Sequence, residues 1–200
     1  MLHEEIENVY LAFKRYPHPE KLEGCPCCTS NVEARRLVQQ KLRLIPPADL
    51  EKFAFKALTT WGTLRDYKYF LPRILELTVE GKLLGDTEIT LGKLKYGGFG
   101  DWPEPEQRAV LELAFGAWRE MVTAGDVSRA EEFLCGASPL VSDITPWLEY
   151  ADIASPQFKL AFATAQGNQT KRKLLNAFWE CDTANYLRVL NWIYPGTNDG

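Results

Sequence analysis

The stretch that decides the fold is Asp101-Trp102-Pro103-Glu104-Pro105-Glu106-Gln107-Arg108-Ala109-Val110-Leu111-Glu112-Leu113-Ala114-Phe115-Gly116-Ala117-Trp118-Arg119-Glu120-Met121-Val122-Thr123-Ala124-Gly125. Val110, Leu113, Ala114, Ala117, Trp118 and Met121 recur three and four positions apart, the spacing of one buried helical face. Asp101 stands where a capping oxygen is wanted, Pro103 or Pro105 suits a first turn that has no N–H to satisfy, and Gly125 closes the run.

The same punctuation continues downstream. Helices are expected over 126–135, 143–151, 155–166, 170–180 and 183–193, opened by Asp126, Asp143, Ser155, Thr170 and Thr183. Gly136 and Gly167 mark ends, and Pro146 and Pro156 sit where first turns tolerate proline.

Upstream, Leu2, Ile6, Val9, Tyr10 and Phe13 define a helix that ends before Pro17, followed by a loop over 16–30. Ala34, Leu37, Val38 and Leu42 predict a second helix, stopped by Pro46-Pro47. Leu50, Phe53, Ala54, Ala57, Leu58 and Trp61 fit the helical template, with Asp49 as its cap and Gly62 as its stop. Thr63 caps the next helix, which carries Pro72 and is expected to kink or break near Phe70. Residues 81–101 are ambiguous: Thr87–Leu91 alternates like a short strand, whereas Leu91 and Leu94 fit a helical turn. Gly97-Gly98-Phe99-Gly100 reads as a loop.

The expected fold is therefore all-α, a single helical domain over 1–200 built as an irregular multi-helix bundle or a short stack of helical hairpins. Residues 195–200 read as a flexible tail.

Composition supports a packed core, since six Trp, eight Tyr and ten Phe supply large groups to bury. Residues 1–100 carry fifteen basic against thirteen acidic side chains, and residues 101–200 carry eight against fourteen. The basic residues of the first half are interleaved with acids, and the densest run, Lys171-Arg172-Lys173, reads as a solvated helix start, which argues against nucleic-acid binding. The acidic start, the lack of a membrane-length apolar run and the odd count of five cysteines point to reduced thiols in the cytoplasm.

Chemistry concentrates at Gly24-Cys25-Pro26-Cys27-Cys28. Cys25 and Cys28 have the C-x-x-C spacing that lets two thiolates converge on one ion, so a zinc site is a candidate, with His18 in the same loop as a third ligand. His3 is the one other histidine of the chain. Cys27 stands beside Cys28, an awkward position for shared chelation. The same C-x-x-C pair suits dithiol redox chemistry, or packs as inert thiols. Cys135 and Cys181 lie on apolar helix faces and read as small buried hydrophobes.

With two histidines in the chain, the one local nucleophile–base pair is His18 beside Cys25 or Cys27; His18, flanked by prolines, reads as a solvent-exposed histidine, and no catalytic residue is assigned. Glu4/Glu5, Glu104/Glu106 and Glu131/Glu132 fit helix starts or solvated faces. The segment Trp61–Arg73 interleaves aromatics with cations, the residue types that dominate protein–protein hot spots. Tyr69, Phe70 and Arg73 are its candidate interaction residues.

Tyr16-Pro17, Gly24-Cys25-Pro26 with Cys28, Ala57–Gly62 and Phe70-Leu71-Pro72-Arg73 together resemble a group of uncharacterised bacterial cytoplasmic proteins of similar length. The resemblance covers mainly residues 10–80. It implies a bacterial cytosolic protein and carries no activity. The expected function is a non-catalytic, cytosolic protein-interaction module of immunity or adaptor type. The alternative is an enzyme or a redox or metal protein centred on the Cys25–Cys28 loop.

Overall fold

The computed structural model describes residues 2–27, 29–83, 85–167, 173–179 and 183–195. Among them lie ten α-helices and no strand, as the helical periodicity predicts. In chain order these are α1 (His3–Phe13), α2 (Asn31–Val38), α3 (Pro47–Lys56), α4 (Leu64–Val79), α5 (Thr87–Tyr96), α6 (Glu104–Ala124), α7 (Val127–Ala137), α8 (Thr145–Ala154), α9 (Pro156–Ala165) and α10 (Ala184–Ile193). Chain contacts divide the molecule into two compact units, Leu2–Leu113 and Ala114–Gly200, with the border inside α6. The expected flexible tail begins at Pro195 and otherwise lies outside the described residues.

In Leu2–Leu113 the central element is α4, which packs on α1, α3 and the 3₁₀ turn Leu42–Leu44. It starts with a capping box: the Asp66 and Tyr67 turn is held because Asp66 N–H donates to Thr63 Oγ1 while Asp66 Oδ2 accepts the Thr63 N–H at 2.8 Å. Phe70, Leu71, Ile74 and Leu75 are buried. The break expected near Phe70 does not occur. Pro72 removes one backbone donor, yet it is itself buried and α4 continues to Val79, enclosed by the elements packed on it.

Side-chain ties run between these elements. The Tyr10 hydroxyl donates to Glu76 at 2.6 Å, and Arg73 reaches both Glu76 and the Ile45 carbonyl. Burial and the adjoining Glu76 carboxylate push the Tyr10 phenol far above its usual range.

Two expectations are corrected here. The third helix stops at Lys56 rather than Trp61, and its N-cap is Pro46, with Asp49 one turn inside. Residues 57–61 form a tight turn in which the Lys56 carbonyl accepts the N–H groups of Thr59, Thr60 and Trp61. Leu58 takes a left-handed φ of 66°, a conformation that costs a side-chain-bearing residue energy. Of the two readings left open for Thr87–Leu91, the helical one holds, since these residues belong to α5.

In Ala114–Gly200 the core is aromatic. Phe115, Trp147, Trp118, Phe158, Phe162 and Trp192 form a chain of ring contacts with centroid separations of 5.4 to 6.4 Å. Tryptophan N–H groups are satisfied in place: Trp118 donates to the Trp147 carbonyl at 2.9 Å, and Trp192 to Asp152 at 2.8 Å. Asp126 and Thr183 cap α7 and α10 as expected, and Gly125 and Gly167 take positive φ at helix ends. The α7 helix runs past Gly136 to Ala137. A helix over 170–180 is not formed by residues 173–179, which run as turns; Thr170 and its neighbours to residue 172, and Glu180, lie outside the described residues. The turns are anchored where Asn176 and the Trp179 indole donate to Glu131.

Candidate functional site

The cysteine loop is built on a short antiparallel bridge between Gly24 and Trp61. Cys25 N–H donates to the Thr60 carbonyl at 2.8 Å, and Gly62 N–H donates to the Glu23 carbonyl at 2.7 Å. Gly24 is required by the closeness of this approach: a Cβ there would meet Thr29 Oγ1 at 2.7 Å and the Thr60 carbonyl oxygen at 3.0 Å. On the far side, the Cys25 carbonyl accepts both the N–H and the hydroxyl of Thr29. The Cys25 backbone is thus fixed from two directions.

That frame presents Cys25, half-buried, and Cys27, exposed, with their sulfur atoms 2.7 Å apart. Pro26 separates them and restricts the turn to conformations compatible with its fixed φ. The contact between Cys25 and Cys27 is one that spacing alone made awkward, and it stands beside the expected pairing of Cys25 with Cys28 without testing it. Cys28 lies outside the described residues, and so does Cys181. His18 is exposed, its ring edge-on to Tyr69 with centroids 5.2 Å apart. Among the described residues no group of three His, Cys, Asp or Glu side chains converges as metal ligands would. The zinc expectation therefore rests on Cys28.

Beside the loop lies a groove of about 910 Å³. Leu22, Ala34 and Val38 give it an apolar wall, Gly24 and Pro26 bring the thiol loop to its edge, and Arg35 stands on its polar side. Ser30 closes the loop and caps α2: its hydroxyl accepts the Glu33 N–H, and Glu33 accepts the Ser30 N–H in return.

Behind the bridge, Lys93 of α5 is buried, with Nζ 3.5 Å from Thr59 Oγ1. Burial depresses its ammonium below the usual lysine range.

The interaction residues fare differently. Phe70 is fully buried against Phe53 and so presents nothing to a partner, because the helical face of Leu71 and Ile74 is wide enough to include it. Arg73 is committed to Ile45 and Glu76 inside the fold. Tyr69 is half-buried between His18 and Phe70. Glu106, expected on a solvated helix start, is 1% exposed. It accepts the Tyr16 hydroxyl and Lys68 Nζ, each at 2.8 Å, and Lys68 Nζ lies 4.0 Å from the Trp102 ring centroid. Sequence reading missed this buried pair, since neither residue stands in a motif. The available signal was that Lys68 falls on the same stripe as Leu64, Leu71 and Leu75.

No protein-family model, curated protein or solved structure matches the chain. Among the described residues no helix is long and apolar enough to cross a membrane.

Proposed function

We propose that this chain is a dithiol protein in which Cys25 and Cys27 interconvert between two thiols and a disulfide in a reducing cytoplasm. The observation that carries the reading is the 2.7 Å separation of their sulfur atoms on a loop whose backbone is pinned on both sides. Thiol–disulfide exchange needs an accessible thiolate and a second sulfur within reach to resolve the mixed disulfide. Cys25 is half-buried and Cys27 exposed, so both sulfur atoms have access to solvent, and each lies within reach of the other.

The test is mild oxidation of the intact chain followed by peptide mass mapping. The expected product has lost two hydrogens and carries a Cys25–Cys27 link, and Cys27→Ser abolishes it. Recovery of both residues as titratable thiols, or a link from Cys25 to a different cysteine in the unsubstituted protein, would overturn the assignment.

A second reading, a protein-interaction module of immunity or adaptor type, is favoured by a separate observation. Ile153 on α8 and Leu160 on α9 are 85% and 71% exposed. Isolated apolar side chains on a surface are ordinary, but residues this large and this open are the raw material of docking sites. Proteins retained by the unsubstituted chain are to be compared with those retained by Ile153→Glu/Leu160→Glu. A partner lost with the substitutions supports the reading, and identical sets oppose it.

A further inference from the structure

Resting on the dithiol reading, we infer that the groove beside the loop receives a disulfide derived from an amino-acid thiol, its carboxylate held by Arg35 and its ammonium by Glu20.

Three observations lead there. The groove's volume, about 910 Å³, falls in the range of small-molecule sites, roughly 300–1,000 Å³. A folded protein segment would need a larger surface. Its wall of Leu22, Ala34 and Val38 accepts an apolar stem, while Gly24 and Pro26 place the thiol loop at its margin. Four charged side chains line it: Glu20, Lys21, Glu23 and Arg35. Lys21 and Glu23 pair with each other at 2.6 Å. Arg35 and Glu20 remain, one cation and one anion, with no ion pair to another side chain among the described residues. Arg35 offers the planar fork that matches a carboxylate, and a ligand carrying both a carboxylate and an ammonium complements the two together.

The chemistry balances without a further reactant. The Cys25 thiolate attacks one sulfur of the incoming disulfide, forming a mixed disulfide and expelling one small thiolate. The Cys27 thiolate then attacks the Cys25 sulfur, closing the Cys25–Cys27 bond and expelling the second. The two protein thiols lose two electrons and two protons, and the small disulfide is reduced to two thiols.

The experiment measures the rate of this reaction for three probes: glutathione disulfide, which carries carboxylates and ammonium groups; cystamine, which carries ammonium groups alone; and 2-hydroxyethyl disulfide, which is uncharged. Each rate is divided by that for a short unstructured peptide holding one cysteine. In a Cys27→Ser/Cys28→Ser chain, Cys25 is the loop's one thiol and retains the mixed disulfide for mass mapping. The normalised rate with glutathione disulfide is expected to exceed the other two by about tenfold, an advantage that fades with added salt. Arg35→Ala should remove most of it.

Equal normalised rates for the three probes, or a preference untouched by both salt and Arg35→Ala, would overturn the inference while leaving the dithiol reading standing. If Cys25 reacts with none of the probes, the inference falls, and the dithiol reading falls with it if the unsubstituted chain also forms no Cys25–Cys27 link on mild oxidation. Should Arg35→Ala fail to fold, the comparison of probes and the salt series on the chain with Arg35 intact decide the matter alone.

Discussion

Residues 2–113 and the residues from 114 onward solve the same problem with different materials. In the first, charged and polar side chains cross between elements: Lys68 to Glu106, Tyr10 to Glu76, Arg73 to Ile45, and Arg43 in a two-point contact with Glu7. In the second, rings touch in series from Phe115 to Trp192, and polar atoms mostly serve to satisfy indoles and to pin the Ser138–Ile144 segment. Ring packing is tolerant of direction and rewards area; a buried ion pair is intolerant of loss, because removing one partner strands the other charge in a low-dielectric interior. The first unit should therefore be specific and brittle, and the second robust until a ring is removed.

The largest expected effect belongs to the ring series. Trp118→Ala should cost roughly 3–5 kcal/mol in denaturant unfolding, since Trp118 is fully buried between Trp147 and Phe158 and donates to a backbone carbonyl. A loss under about 1 kcal/mol would show that the series is not the core of its unit.

Lys68→Met should cost about 3 kcal/mol by leaving the Glu106 carboxylate buried beside one hydroxyl and one arginine. Replacing both, as Lys68→Met/Glu106→Leu, should recover most of that loss. If the double variant is as unstable as the single one, the ion pair stabilises in its own right and the contrast drawn above fails.

Asn185→Leu removes the main polar tie of the second unit. The Asn185 amide donates to the Ser138 and Val141 carbonyls and accepts from the Ile144 N–H, so one side chain ties α10 to the segment preceding α8. Its loss should cost about 2 kcal/mol and raise hydrogen exchange locally over 138–144. An unchanged exchange pattern would mean the rings alone hold that unit.

The smallest effect has the opposite sign. The Tyr67 hydroxyl is buried with no hydrogen-bond partner among the described residues, and Tyr67→Phe should be neutral or stabilise by up to about 1 kcal/mol. A measurable destabilisation would reveal a polar contact, such as a bound water, in the core of the first unit.

Most helices and some of their starts were legible because capping is local chemistry, whereas the second helix, expected to run to Pro46-Pro47, stops at Val38. Thr63, Asp126 and Thr183 each accept from an N–H three residues on, a pattern that needs only a few neighbouring residues to read. The end of α3 was not legible. Ala57 and Trp61 are buried as their helical spacing implies, but the periodic signal reports burial, not backbone path. Beyond Lys56 the chain closes a local turn, with Ala57 bridged to Trp61, and Trp61 pairs in addition with Gly24, thirty-seven positions away, which no local window contains. The same holds at the candidate site. The cysteine cluster announces itself in the sequence, yet the backbone frame that holds Cys25 depends on Thr29 and on Thr60, thirty-five positions away. Lys68 and Glu106 were hidden for a related reason: each looks like a surface charge until its partner, thirty-eight positions away, is placed beside it.

The bridge at Gly24 has one more consequence, a mechanical one. Glu23 grips the N–H of Gly62, and the next residue, Thr63, begins the cap that starts α4. Thiol loop and helix start thus share a single rigid hinge pin, with one peptide unit between grip and cap. Any strain placed on the loop backbone at Glu23 would therefore be felt within one residue of the cap that starts α4.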